Sequence, residues 1–159
     1  ETISPSMDIQ LASNFERLIY DLNNHNDEKT TKAMKDIKEN GKYIISEENL
    51  NKINNHFLSS SMNENEVLNI IKDVHTKFNM ILDPHTAIGY GAFDKVKLEG
   101  NNIVLATAHP CKFPDAIEKA INIKSELPNK LLYILDEKEN YDIIENSLDK
   151  IKNHIKERI

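Results

Sequence analysis

Four glycines, at 41, 89, 91 and 100, are all the chain has, and they form neither a GxGxxG nor a GxxxxGK[ST] pattern. A loop that cradles a phosphate on bare backbone N–H groups is therefore missing, and a phosphorylated ligand would need its cradle elsewhere. The single cysteine, Cys111, excludes an internal disulfide and suits a reducing compartment, so a cytoplasmic setting is expected. No apolar run approaches the roughly 20 residues of a membrane helix. The opening Glu1-Thr2-Ile3-Ser4-Pro5 has neither the basic start nor the apolar core of a signal peptide. Clustered cations are absent too. With 20 Lys and Arg against 26 Asp and Glu, the formal net charge is −6, and nucleic acid is not an expected partner because a phosphate-tracking surface needs grouped Lys and Arg. His25, His56, His75 and His154 lie scattered on expected helix faces or ends, without the i, i+4 pairing or Cys partners of a zinc site, so no metal is expected.

What is present is enough apolar sequence for one ordinary domain: 159 residues, 39% hydrophobic and 29% charged. Residues 1–12 read as an irregular lead-in, and the chain starts without Met in what looks like a loop, so a piece of something longer is expected. Ser13 and Glu16 have capping-box spacing, and Phe15, Leu18, Ile19 and Leu22 form one apolar stripe, which predicts a helix. A second helix is predicted from about Glu28 to Glu39, stopped by Asn40-Gly41, and a third after the cap Ser46 to about Asn55. Asn63 and Glu66 form a further cap pair ahead of Val67, Ile70, Ile71, Val74 and Phe78, the clearest amphipathic helix of the first half.

Four extended segments are predicted between helices: Lys42–Ile45, Phe57–Ser61, Ile103–Ala106 as the best strand, and the apolar run Leu131–Leu135. Alternation of such segments with helices indicates an α/β fold with a few-stranded, mostly parallel sheet flanked by helices. Pro84 and Pro114 each open a predicted helix, the first to about Phe93, the second burying Ala116, Ile117, Ala120 and Ile121. Asp94 to Asn102 is a polar connection, Pro128 closes the 114 helix, and Ile144, Leu148, Ile151 and Ile155 form the stripe of a terminal helix.

Chemistry concentrates in two turns, Asp83-Pro84-His85-Thr86-Ala87-Ile88-Gly89 and Ala106-Thr107-Ala108-His109-Pro110-Cys111. In an open sheet, ligands sit beyond the carboxyl ends of strands, which puts Thr107 and His109 where a ligand would be met. His85 and His109 have a plainer reading as well, each holding its turn together through backbone groups. Asp83 has the spacing of an N-cap with Pro84 at the first helical position. Cys111 has no base partner nearby in sequence to make it a nucleophile.

Thr2-Ile3-Ser4-Pro5-Ser6-Met7-Asp8-Ile9 with Ser13-Asn14-Phe15-Glu16-Arg17, then Leu82-Asp83-Pro84-His85-Thr86-Ala87-Ile88-Gly89, then Ala106-Thr107-Ala108-His109-Pro110-Cys111-Lys112-Phe113 resemble, in order, the C-terminal portion of threonine synthase. The resemblance covers residues 2 to about 125, with about 126–159 as a looser family tail carrying the terminal helix. It implies part of a fold-type II, tryptophan-synthase-like enzyme that uses pyridoxal 5'-phosphate to convert O-phosphohomoserine and water to threonine and phosphate. By the same resemblance, Thr107 bonds the cofactor's ring nitrogen, with Ala106, Ala108 and His109 beside it, and His85 and Thr86 shape the cleft. A neutral hydroxyl there leaves the ring less positively charged than an aspartate partner would. The Schiff-base lysine and phosphate loop of the family belong to the N-terminal part of the same enzyme, so no catalytic residue is expected in this segment, and alone it should be inactive. Two other readings remain open: a stand-alone helical interaction or regulatory module, and a metal-dependent hydrolase using His85 and His109.

Overall fold

A computed structural model describes residues 2–96 and 98–159; Glu1 of the lead-in and Lys97 of the 94–102 connection lie outside the described residues. Seven α-helices are present among them: α1 Ser13–Leu22, α2 Asp27–Asn40, α3 Glu47–Asn54, α4 Glu64–Phe78, α5 Pro84–Val96, α6 Pro114–Ile121 and α7 Leu148–Lys156. The chain divides into two compact units, Glu1–Glu126 and Leu127–Ile159.

In the first unit α4 is the central helix, packing on both α5 and α6, while α1 packs on α2. The reason lies in its sequence. Val67, Ile71 and Val74 recur at helical spacing and are buried, and Ile71, fully buried, meets Val67, Ala87 and Ile117 in the core. Burying an isoleucine of this kind contributes about 1.5–3 kcal/mol. The α4–α5 contact is close because residue 91 is glycine: a Cβ there would overlap Ile70 and Met62.

Helix ends follow local chemistry. At α4 the Asn63 side chain accepts the Glu66 N–H at 3.0 Å while the Glu66 carboxylate accepts the Asn63 N–H at 2.7 Å, a complete capping box. Asn26 caps α2, Ser46 caps α3, and Gly41 ends α2 in the left-handed region at φ 69°. Asn79 and Asn122 do the same for α4 and α6, which gives part of the abundant asparagine a purpose. The Ser13/Glu16 pair does not form its box: Ala12 is the N-cap of α1 and no side chain caps it.

The predicted sheet is corrected: the described residues contain no strand. Residues 42–45 and 57–61 are irregular, and 103–106 are unpaired, with Ile103 88% and Leu105 75% exposed. A β-branched apolar run supplies only one side of a ladder, and its N–H and C=O groups need a neighbouring strand to become a sheet. The described residues offer none. In the second unit the 131–135 run forms a 3-10 turn over Asn129–Leu135 in place of a strand, and α7 begins at Leu148, leaving Ile144 outside it. Asp142 holds Arg158 at 2.8 Å within this unit. No helix of the described residues is long and apolar enough to cross a membrane.

Candidate functional site

The two polar turns singled out in the sequence meet in the first unit. Asp83, only 1% exposed, sits just before α5 and is far more than a cap. Its Oδ1 accepts the His85 backbone N–H at 2.9 Å and lies 3.1 Å from His85 Nδ1, and its Oδ2 accepts the Thr86 hydroxyl. The other imidazole nitrogen, His85 Nε2, accepts the Ser6 N–H at 3.2 Å. An acceptor at Nε2 requires the neutral ring to carry its proton on Nδ1, facing Asp83. The Phe113 ring packs against the imidazole at a centroid distance of 4.8 Å.

Thr86 carries the network onward. Its Oγ1 accepts the Thr107 N–H at 3.0 Å and stands 3.3 Å from Thr107 Oγ1. Thr107 itself is exposed. A buried carboxylate, a buried hydroxyl and an accessible hydroxyl thus form one file, with the last at the surface. Thr107 reaches this position without a strand to end, because its own N–H is tied to the helix α5 side chain. Ala106 is exposed and Ala108 half-buried, so the flanks of the hydroxyl are small.

The remaining predicted residues fall apart from this file. His109 is exposed and caps the short turn Pro110–Lys112, its Nδ1 accepting the Cys111 N–H at 3.2 Å, which is the plain turn-holding role. His85 likewise faces inward, with both ring nitrogens engaged. Among the described residues no group of three or more His, Cys, Asp or Glu could hold a metal ion, and the histidines are not brought together. Sequence reasoning missed Asp83 as the hub of the network. The signal was its threonine at i+3 and histidine at i+2, both able to donate to a single carboxylate. It also missed Ser6, whose backbone locks the imidazole from 79 residues away.

A cavity of about 300 Å³ lies elsewhere, between α4 and α5, lined by Met62, Glu66, Asp73, Lys77, Tyr90 and Lys95. There the Lys95 ammonium donates to Glu66 at 2.8 Å, and this bond, aided by the Asn63 N–H, holds the Glu66 carboxyl below its ordinary range.

Residues 86–155 match the family described as "Threonine synthase, C-terminal". Threonine synthase of Pseudomonas aeruginosa is 34% identical over 154 residues, 95% of this chain and 33% of that protein. The Corynebacterium glutamicum threonine synthase is 33% identical over 164 aligned positions, covering 100% of this chain and 34% of that protein. The crystal structure of PLP-bound threonine synthase from Brucella melitensis superposes with a TM-score of 0.79 at 35% identity, covering 99% of this chain and 34% of that one. The chain is helix-rich among its described residues and spans about a third of the length of the relatives it matches. The proteins to which the chain is similar along nearly its whole length are threonine synthases, and residues 86–155 match the family model of their C-terminal part.

Proposed function

We propose that this chain is the C-terminal segment of a threonine synthase that converts O-phosphohomoserine and water to threonine and phosphate, and that it supplies the face meeting the ring nitrogen of pyridoxal 5'-phosphate. The observation that carries the reading is Thr107: an accessible hydroxyl with small neighbours, held in place by a buried network, in a chain 35% identical to part of a PLP-bound enzyme. The donor set fits that end of the cofactor, since a hydroxyl can either give a proton to a pyridine nitrogen or receive one from it. When bound, the group supplies the electron sink that stabilises substrate carbanions. Thr107 orients the ring, Ala106 and Ala108 leave room for its flat faces, and Asp83, His85 and Thr86 keep Thr107 from turning away.

The exposed run Ile103–Ala106 joins, in this reading, a sheet whose other strands belong to the N-terminal part of the enzyme. That is why it is β-branched, extended and yet unpaired here. The lysine that holds the cofactor and the phosphate cradle come from the same N-terminal part, the four glycines of this chain making no cradle. The isolated segment is inactive, and the setting is cytoplasmic, in keeping with the unpaired thiol of Cys111.

The test uses the full-length protein. Replacing Thr107 by Val removes the hydroxyl with little change of shape and should weaken pyridoxal phosphate binding by about tenfold, the worth of one hydrogen bond of about 1.4 kcal/mol, together with turnover of O-phosphohomoserine. Unchanged cofactor affinity and turnover would remove Thr107 from the site. For the segment alone, borohydride treatment with pyridoxal phosphate should yield no specific lysine adduct, and a specific adduct with turnover would overturn its inactivity.

A further inference from the structure

His85 is 6% exposed and touches three segments that are far apart in sequence. Its Nε2 accepts the Ser6 N–H of the lead-in at 3.2 Å, its Nδ1 faces Asp83 Oδ1 at 3.1 Å, and its ring packs on Phe113 at a centroid distance of 4.8 Å. The Ser6 bond has only one sense, because a backbone N–H can only donate, and it fixes the neutral ring with its proton on Nδ1. An imidazole so engaged has neither a lone pair nor a proton left to offer a ligand. Its place is not that of an acid or base catalyst.

We infer that His85 is a positioning residue that fastens the lead-in, residues 2–8, to the backbone at Thr107, so that Thr107 is set in place from residue 6 as well as from its own turn. The inference rests on the proposed function for the ligand alone, since it takes the cofactor to lie against Thr107. The route is a file of bonds with a donor assigned at every step. The Ser6 N–H donates to His85 Nε2, and the His85 backbone N–H and Nδ1–H donate to Asp83 Oδ1. The Thr86 hydroxyl donates to Asp83 Oδ2, and the Thr107 N–H donates to Thr86 Oγ1 at 3.0 Å. Both ends of the file are main-chain N–H groups, so what it fixes is the spacing of two stretches of backbone. Asp83, His85 and Thr86 are all buried, where a broken bond leaves a desolvated polar group behind. The lead-in moves as one piece because it is closed on itself, the Thr2 N–H donating to the Asp8 carboxylate at 2.7 Å. A hold on Ser6 is therefore a hold on the whole of it.

The experiment compares full-length variants at position 85. The amide of Gln ends where Nε2 of the imidazole ends and can accept the Ser6 N–H, whereas the amide of Asn ends at the place of Nδ1, within reach of Asp83 only. His85→Asn should speed hydrogen exchange over residues 2–8. It should also weaken pyridoxal phosphate binding about fivefold, the worth of one neutral hydrogen bond, with turnover at saturating cofactor within about twofold of wild type. His85→Gln should restore both the slow exchange and the affinity, as a role confined to ring packing on Phe113 would not. Unchanged exchange or unchanged affinity in the Asn variant overturns the inference, as does a Gln variant as weak as Asn, or turnover lost at saturating cofactor. Should the Asn variant not fold, the imidazole 15N shifts of wild type decide: the Nδ1–H tautomer is expected, and an Nε2–H ring or an imidazolium at the pH of the assay overturns the inference. The two failures are distinguishable. If Thr107→Val weakens cofactor binding and His85→Asn does not, only the link through His85 is wrong. If neither weakens it, the cofactor is not at Thr107 and the functional reading falls.

Discussion

Residues 83–87 and residues 103–107 are both short segments of small, polar and apolar residues, and the structure treats them oppositely. All five residues of the first are buried. Their polar atoms answer one another: Asp83 accepts from His85 and Thr86, and Thr86 accepts from Thr107. The second has Ile103 88% and Leu105 75% exposed and, among the described residues, hydrogen-bonds to the rest at its last residue. The difference is one of completeness. The first segment finds its hydrogen-bond partners within its own turn, in Ser6 and in Thr107, and its apolar partners in α4 and α6. The second has a strand's side chains and, among the described residues, no strand to pair with. Apolar character alone therefore does not decide burial; the supply of partners within reach does.

Substitutions sharpen that contrast, the largest first. Ile71→Ala, in the fully buried centre of α4, should cost about 2–5 kcal/mol in chemical denaturation of the chain, because the cavity it leaves lies between helices that cannot all close on it. A loss under 1 kcal/mol would mean the first unit is not packed as described. Asp83→Ala should cost about 2–3 kcal/mol, since the His85 N–H groups and the Thr86 hydroxyl would be left buried without an acceptor. Asn63→Ala should cost about 1 kcal/mol through loss of the capping box at the start of α4.

The Glu66–Lys95 pair predicts a pH effect, not a size. Its bond to Lys95 keeps the Glu66 carboxyl below the ordinary carboxylate range when folded. The stability it adds is therefore present above the ordinary range and lost as pH falls through the lowered value. Lys95→Met should flatten that part of an acid titration of stability, and an unaltered titration would show the pair to be inert. The smallest effect expected is at Ile103. Ile103→Ala in this chain should change stability by no more than about 0.5 kcal/mol, and in the full-length protein by about 2 kcal/mol or more if the run is a buried strand there. Equal effects in both settings would remove the proposed sheet.

How much of this was legible in the sequence follows the same division. The helices were, since caps and apolar stripes are local: Asn63 with Glu66, Ser46, Gly41, and the 67/70/71/74 stripe all act within a few residues of themselves. The strands were not, because a strand is a relation between two segments, and a β-branched run reads the same whether its neighbour is present or absent. Of the site, the turns 83–89 and 106–111 could be singled out, and so could Thr107. The hub at Asp83 looked like an ordinary N-cap, because its bonds to the His85 ring and to Thr86, and the link from there to Thr107, depend on the fold bringing residue 107 back to α5. Ser6 was beyond local reading altogether, its N–H meeting a histidine 79 residues further along the chain.

The most direct measurement is a crystal structure of the full-length protein with pyridoxal phosphate bound, reading the separation between Thr107 Oγ1 and the cofactor's ring nitrogen. The account predicts hydrogen-bond distance, about 2.7–3.2 Å, with Thr86 still between Thr107 and Asp83. A ring nitrogen facing another side chain, or standing more than about 4 Å from Thr107, would contradict it.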